Sequence, residues 1–159
     1  MIRHGDRALG KMTKRFAVLI LLLLTASAAC LGKREETDDQ LLAKAEAAPV
    51  EKQSDLFLEL AEHEMKTALE NFSSGRNDEA RSTLQKMVEH CGRAHEAAIK
   101  SGKRLKHTEI KLRKISVRLR DVKMNVDLNS QPQVQAAIDR LEDFRTELLK
   151  AMFGSKNND

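Results

Sequence analysis

The sequence predicts an all-α protein: an up-down antiparallel bundle of about four helices, preceded by a signal peptide and a charged spacer. Three observations carry this. Good helix formers (Ala, Leu, Lys, Glu and Arg) dominate, while Gly and Pro number only seven and two in 159 residues. Between Pro49 and Gly154 apolar residues recur at steps of three and four, the period of one helical face. The segments carrying that pattern run for about 22 residues, roughly 33 Å of helix each. The turns between them are short, which sets successive helices antiparallel. With no Trp, no Tyr and five Phe, the core must be mostly aliphatic.

The chain divides into residues 1–29 as signal peptide, 30–48 as a charged spacer or tether, 49–154 as the bundle and 155–159 as a loose polar tail. FAVLILLLLTASAAC, Phe16 to Cys30, is the one continuous apolar run, and Lys11, Lys14 and Arg15 precede it. A basic start, an apolar stretch and small residues at its end make a secretory signal. The run is shorter than the roughly 20 residues needed to span a bilayer. MTKR from Met12 is an equally ordinary beginning for such a signal. Residues 1–29 hold five of the 28 Lys and Arg and one of the 24 Asp and Glu, so the remainder balances at 23 of each. The basic overall charge therefore belongs to the leader and gives no argument for nucleic acid.

Two endings of the signal compete. Ala26-Ser27-Ala28 and Ser27-Ala28-Ala29 both fit the small-x-small rule, with cleavage before Ala29 or Cys30 and release of the protein. Ala28-Ala29-Cys30 alternatively resembles the end of a bacterial lipobox, in which Cys30 carries a lipid anchor, although Ser27 stands where Leu is usual. The protein is accordingly expected to be exported, either periplasmic or secreted, or held at a membrane as a lipoprotein.

After the signal, Thr37-x-x-Gln40 has capping-box spacing, but residues 33–48 offer little apolar surface and read as a partly helical spacer. Pro49 suits a first helical turn. Phe57, Ala61, Met65, Ala68 and Phe72 then form a stripe ending at Ser73-Ser74-Gly75-Arg76. Asn77 is placed to cap a second helix. There Ala80, Leu84, Met87, Cys91, Ala94 and Ala98 form a coiled-coil-like heptad stripe up to a stop at Gly102. Lys103 to Val126 alternates locally like a strand. A helix nevertheless accommodates every apolar residue in three adjacent rows: 110, 117 and 124; 105, 112, 119 and 126; 115 and 122. Asp127-Leu128-Asn129 reads as a turn, and Ser130-x-x-Gln133 with Pro132 inside it as a capping box starting the last helix. Val134, Ile138, Leu141, Phe144, Leu148 and Met152 continue that helix.

Charge is segregated. Glu35 to Glu96 holds 15 acids and seven bases, whereas Ala97 to Met124 holds ten bases and two acids. The basic third helix is expected beside the acidic first and second, an arrangement that disfavours wrong pairings. Its outer side, with Arg104, Lys111, Arg113, Lys114, Arg118 and Arg120, is the candidate surface for an anionic partner such as lipid headgroups, lipopolysaccharide or an acidic protein face. The bland alternative is a solvated face that balances the acidic helices. No aromatic stacking residue interrupts the basic run, which argues against nucleic acid.

Cys91 and His95, four residues apart on one helical face, form a candidate pair of metal ligands, with His63 or His90 as a third. Cys91 also falls on the core stripe, where a small buried Cys is ordinary. Cys91-Gly-Arg-Ala-His95 lacks the second Cys of a haem-attachment motif. No nucleophile elbow, phosphate loop or HExxH is present, so neither an enzyme nor a bound cofactor is expected.

In Leu60 to Val88, the residues Ala68, Gly75, Ala80 and Leu84 have the spacing of a tetratricopeptide helix pair, and GRNDEA resembles that family's turn. Asn71 replaces the family's aromatic, and Gly92 stands at its terminal Pro. The resemblance implies a helical hairpin of the kind used for protein contacts. More broadly the chain is similar to small uncharacterised exported helical proteins of bacteria. The expected function is therefore a non-enzymatic interaction or structural component of the bacterial cell envelope, whose partner is another envelope protein or an anionic surface. A periplasmic metal- or haem-responsive sensor using the Cys91/His95 face is the alternative. Apolar surface left exposed on one helix would signal a homodimer.

Overall fold

The computed structural model describes residues 37–154. The expected signal peptide, the processing candidates Ala28, Ala29 and Cys30, the start of the expected spacer and residues 155–159 lie outside the described residues. Five helices follow one another: α1 Asp38–Ala47, α2 Val50–Ser73, α3 Asn77–Ser101, α4 Leu105–Lys123 and α5 Gln131–Phe153. No strand occurs among the described residues, so the all-α expectation is met.

α1 is more than a spacer. Its capping box forms, with Thr37 Oγ1 accepting from the Gln40 N–H and Gln40 Oε1 accepting from the Thr37 N–H. Leu41 and Ala45, one turn apart, are buried, and the helix lies along α2. Two apolar positions suffice because the α2–α3 hairpin already offers an apolar surface to cover. The folded part thus begins before Pro49, not at it.

α2 and α3 form an antiparallel hairpin. Its turn uses Gly75 at φ 72°, a left-handed conformation that costs Gly little. Asn71 Oδ1 accepts from Arg76 Nε and Nη2 at 2.9 and 2.7 Å. Arg76, not Asn77, occupies the cap position of α3, and Asn77 is its first helical residue. The heptad stripe from Ala80 to Ala98 is buried throughout. Gly102 stops α3 at φ 65°, its N–H bonding to the carbonyls of Ala98 and Ile99.

The ambiguous basic segment is helical, with Leu112, Ile115 and Leu119 inward. The Ser130 capping box does not form. Ser130 Oγ instead donates to Asp127 Oδ2 at 2.6 Å, while Asp127 Oδ1 accepts from the N–H groups of Asn129 and Ser130. An Asx turn therefore orders the start of α5 in place of the expected box. The Ser130 hydroxyl, then the backbone donors, hold the Asp127 carboxyl below its ordinary range.

α4 and α5 form a second antiparallel hairpin, and the two hairpins lie side by side with like-sense helices adjacent. Between α2 and α4 the partners advance together, Glu51 with Lys103, Ser54 with Thr108 and Glu62 with Lys111. Between α3 and α5 they do likewise, Arg81 with Ser130 and His95 with Phe144. An up-down bundle would close by setting α5 against α2. These two helices occupy opposite corners, with no Cα–Cα pair within 8 Å. The close approach of α3 and α5 is built on Gly92, where an added Cβ would stand 3.1 Å from Phe144 Cζ.

Candidate functional site

The basic surface divides in two. Arg104 Nη2 lies 2.7 Å from Asp55 Oδ2, Lys111 Nζ 2.6 Å from Glu62 Oε1 and Arg120 Nη2 2.7 Å from Glu142 Oε1. Lys103 similarly reaches Glu51 at 2.7 Å and lowers that carboxyl's pKa, chiefly through the hydrogen bond. These cations flank the seams of α4 with α2 and α5, where their charge is matched. Arg113, Lys114 and Arg118 face solvent, with no ion pair among the described residues. The structure therefore brings together three of the six expected residues as uncompensated charge and assigns the other three to fastening helices.

The reason is angular. At 100° per residue, Arg113, Lys114 and Arg118 lie farther from the centre of the buried face of α4, formed by Thr108, Glu109, Leu112, Ile115, Ser116 and Leu119, than Lys111 and Arg120 do. Arg104 precedes the helix. It is the one non-glycine residue with positive φ among the described residues, at 64°, and its bond to Asp55 helps hold that strained turn.

Cys91 and His95 are both buried, Cys91 completely. Burial pushes the Cys91 thiol well above its ordinary value, and the nearby Glu64 and Glu62 add to this. A thiolate, the form that binds metals or attacks electrophiles, is thereby disfavoured. Among the described residues no group of three or more His, Cys, Asp or Glu side chains is placed to hold a metal ion. His63 lies 3.5 Å from Asp38, and His90 Nδ1 is 2.8 Å from Glu64 Oε2. His95 Nε2 is 3.0 Å from Glu147 Oε2 but lacks hydrogen-bond geometry, leaving that buried nitrogen without a partner. Its ring stacks on Phe144 at 5.0 Å. Burial lowers the pKa of His95, outweighing the pull of Glu147 and Glu96 in the other direction.

Sequence reasoning missed the polar contacts inside the packing. Glu64 and His90 form a buried pair across α2 and α3, with the His90 ring parallel to Phe57 at 6.1 Å. Ser54 and Thr108 share a buried 2.7 Å hydrogen bond that fixes the register of α2 on α4. Arg145 links Glu109 on α4 to Glu142 on α5. Apart from Arg145 and Glu142, three residues apart on α5, the partners lie on different helices and are remote in sequence. Only a polar residue on an apolar face, as at Glu64, gave a signal. A cleft of about 420 Å³ opens between α3 and α5, floored by Leu84, Val88 and Ala137 and edged by Arg81, Gln85 and Gln133. No described helix is long and apolar enough to cross a membrane.

Comparison with known proteins returns no family model, no curated protein and no solved structure that matches the chain.

Proposed function

We propose that the protein is an exported, non-enzymatic helical interaction component of a bacterial cell envelope, and that it binds an anionic partner through the outer side of α4. In this reading residues 1–29 are a signal peptide, and cleavage before Ala29 or lipidation of Cys30 sets the protein free or tethers it. The five helices then act as a rigid support that presents one face. The observation that carries the reading is Arg113, Lys114 and Arg118 standing exposed and without an ion pair among the described residues, while Arg104, Lys111 and Arg120 are paired with Asp55, Glu62 and Glu142. Because residues 30–159 carry equal numbers of acids and bases, affinity for a polyanion must come from a patch, not from overall charge.

The test is retention on a heparin matrix at neutral pH and its dependence on salt. Arg113→Gln, Lys114→Gln and Arg118→Gln together should abolish retention without changing the unfolding midpoint. Lys52→Gln, Lys66→Gln and Lys86→Gln remove the same charge from exposed sites on α2 and α3 and should leave most of it. Equal loss in both triple variants would defeat the assignment.

A further inference from the structure

The outward face of α4 carries apolar side chains as well as cations. Val117 is 47% exposed on this face, Met124 82% at the end of the helix and Leu128 80% in the turn that follows, three of the six large hydrophobic side chains exposed among the described residues. Ile110, half-buried, lies one heptad before Val117, and Met124 lies one heptad after it. At 100° per residue, Ile110, Val117 and Met124 fall within about 40° of one another, an apolar row along the middle of the face. Arg113 borders the row on one side and Lys114 and Arg118 on the other, while Lys106 stands in line with the row one turn before Ile110. Asp121 is the single acid on this face. Past the end of the helix, the 124–130 turn carries Leu128 outward.

Resting on the reading above, we propose that this face docks on an anionic lipid leaflet, with Arg113, Lys114 and Arg118 at the headgroup phosphates and Met124 and Leu128 inserted beside them. An apolar row with cations on both flanks is the pattern of a helix lying in the membrane interface plane. The cations snorkel toward phosphate while the apolar tips enter the acyl boundary. Charge complementarity selects an anionic surface. The shape selects lipid over an acidic protein. A protein partner is held by pockets that receive its anchors, and here the anchors project outward, while the cleft described above lies between α3 and α5. A bilayer accepts projecting Met and Leu without shape complementarity, and Met adapts readily to an irregular environment.

The experiment is co-flotation of the full chain with vesicles of phosphatidylglycerol mixed into phosphatidylcholine, and with phosphatidylcholine alone, near physiological salt. The expected result is stronger binding to the mixed vesicles than to phosphatidylcholine alone. Replacing Arg113, Lys114 and Arg118 by Gln should weaken partitioning about a hundredfold, since each cation near an anionic surface contributes about fivefold. Met124→Ser with Leu128→Ser should weaken it about tenfold or more while leaving heparin retention intact. Residues 1–36 are identical in every variant, so these differences report α4 and the turn that follows it. Absence of vesicle binding with heparin retention preserved would overturn the lipid assignment and leave the anionic-partner reading standing. Loss of both would remove both. Equal binding to the two lipid compositions, or no effect of either variant, would also overturn the proposal.

Discussion

The Glu64–His90 pair gives the sharpest test of how the α2–α3 hairpin is held. The two side chains are 5% and 9% exposed, with Nδ1 and Oε2 2.8 Å apart, and Phe57 covers the imidazole. Water cannot replace a lost partner there. Glu64→Leu therefore strands the His90 nitrogen, at a cost of about 1–3 kcal/mol if the remaining group is neutral and 3–5 if it is charged. With a urea dependence of about 1–3 kcal/mol per molar, the unfolding midpoint should fall by roughly 1–2 M. His90→Leu should cost a similar amount by stranding the carboxylate. The double variant should recover most of the loss, because replacing both partners by apolar groups removes the unsatisfied atoms along with the bond. Urea unfolding of the four proteins completes a double-mutant cycle. If the single losses simply add in the double variant, within about 0.5 kcal/mol, the pair is not coupled and the reasoning fails.

Two further predictions concern the α3–α5 contact. His95 has a depressed folded pKa because burial disfavours its charged form. The unfolded chain should take up a proton near the ordinary value of about 6.5 while the native state lags. Stability should therefore be flat above that pH and fall as acid is added below it, and His95→Gln should flatten the slope in pH-dependent thermal unfolding. Gly92→Ala would bring a Cβ to 3.1 Å from the Phe144 ring, which is also held by the His95 stack and by the Arg140 guanidinium 4.5 Å from its centroid. Overpacking of about 1–3 kcal/mol less roughly 1 kcal/mol of helix propensity leaves a net loss near 1 kcal/mol. The same change in a Phe144→Leu background should be stabilising, as equilibrium unfolding would register.

Helix positions were legible because period and punctuation agreed. The row of Ala80, Leu84, Met87, Cys91, Ala94 and Ala98 marked the buried face of α3, and Gly102 its end. Local caps were less legible, since Ser130 could bond either α5 or Asp127, and the geometry of the turn decided for Asp127. Topology was not legible: short turns fix antiparallel hairpins but leave open which faces of the two hairpins meet. A glycine opposite an aromatic, Gly92 and Phe144, helps set that contact and looks unremarkable in sequence. The basic surface was half legible. Composition placed ten bases between Ala97 and Met124, yet which of them remain unpaired depends on Asp55, Glu62 and Glu142 arriving from other helices. α1 was undervalued because Leu41 and Ala45 matter only once the hairpin supplies a surface to cover.

Export underlies the whole functional account, and the intact mass of the protein recovered from membrane and soluble fractions of a bacterial host tests it most directly. The account predicts an envelope-fraction species that begins at Ala29 or Cys30, the latter bare or carrying a diacylglycerol and an acyl group. A species beginning at Met1 or Met12 in the cytoplasmic fraction would contradict it.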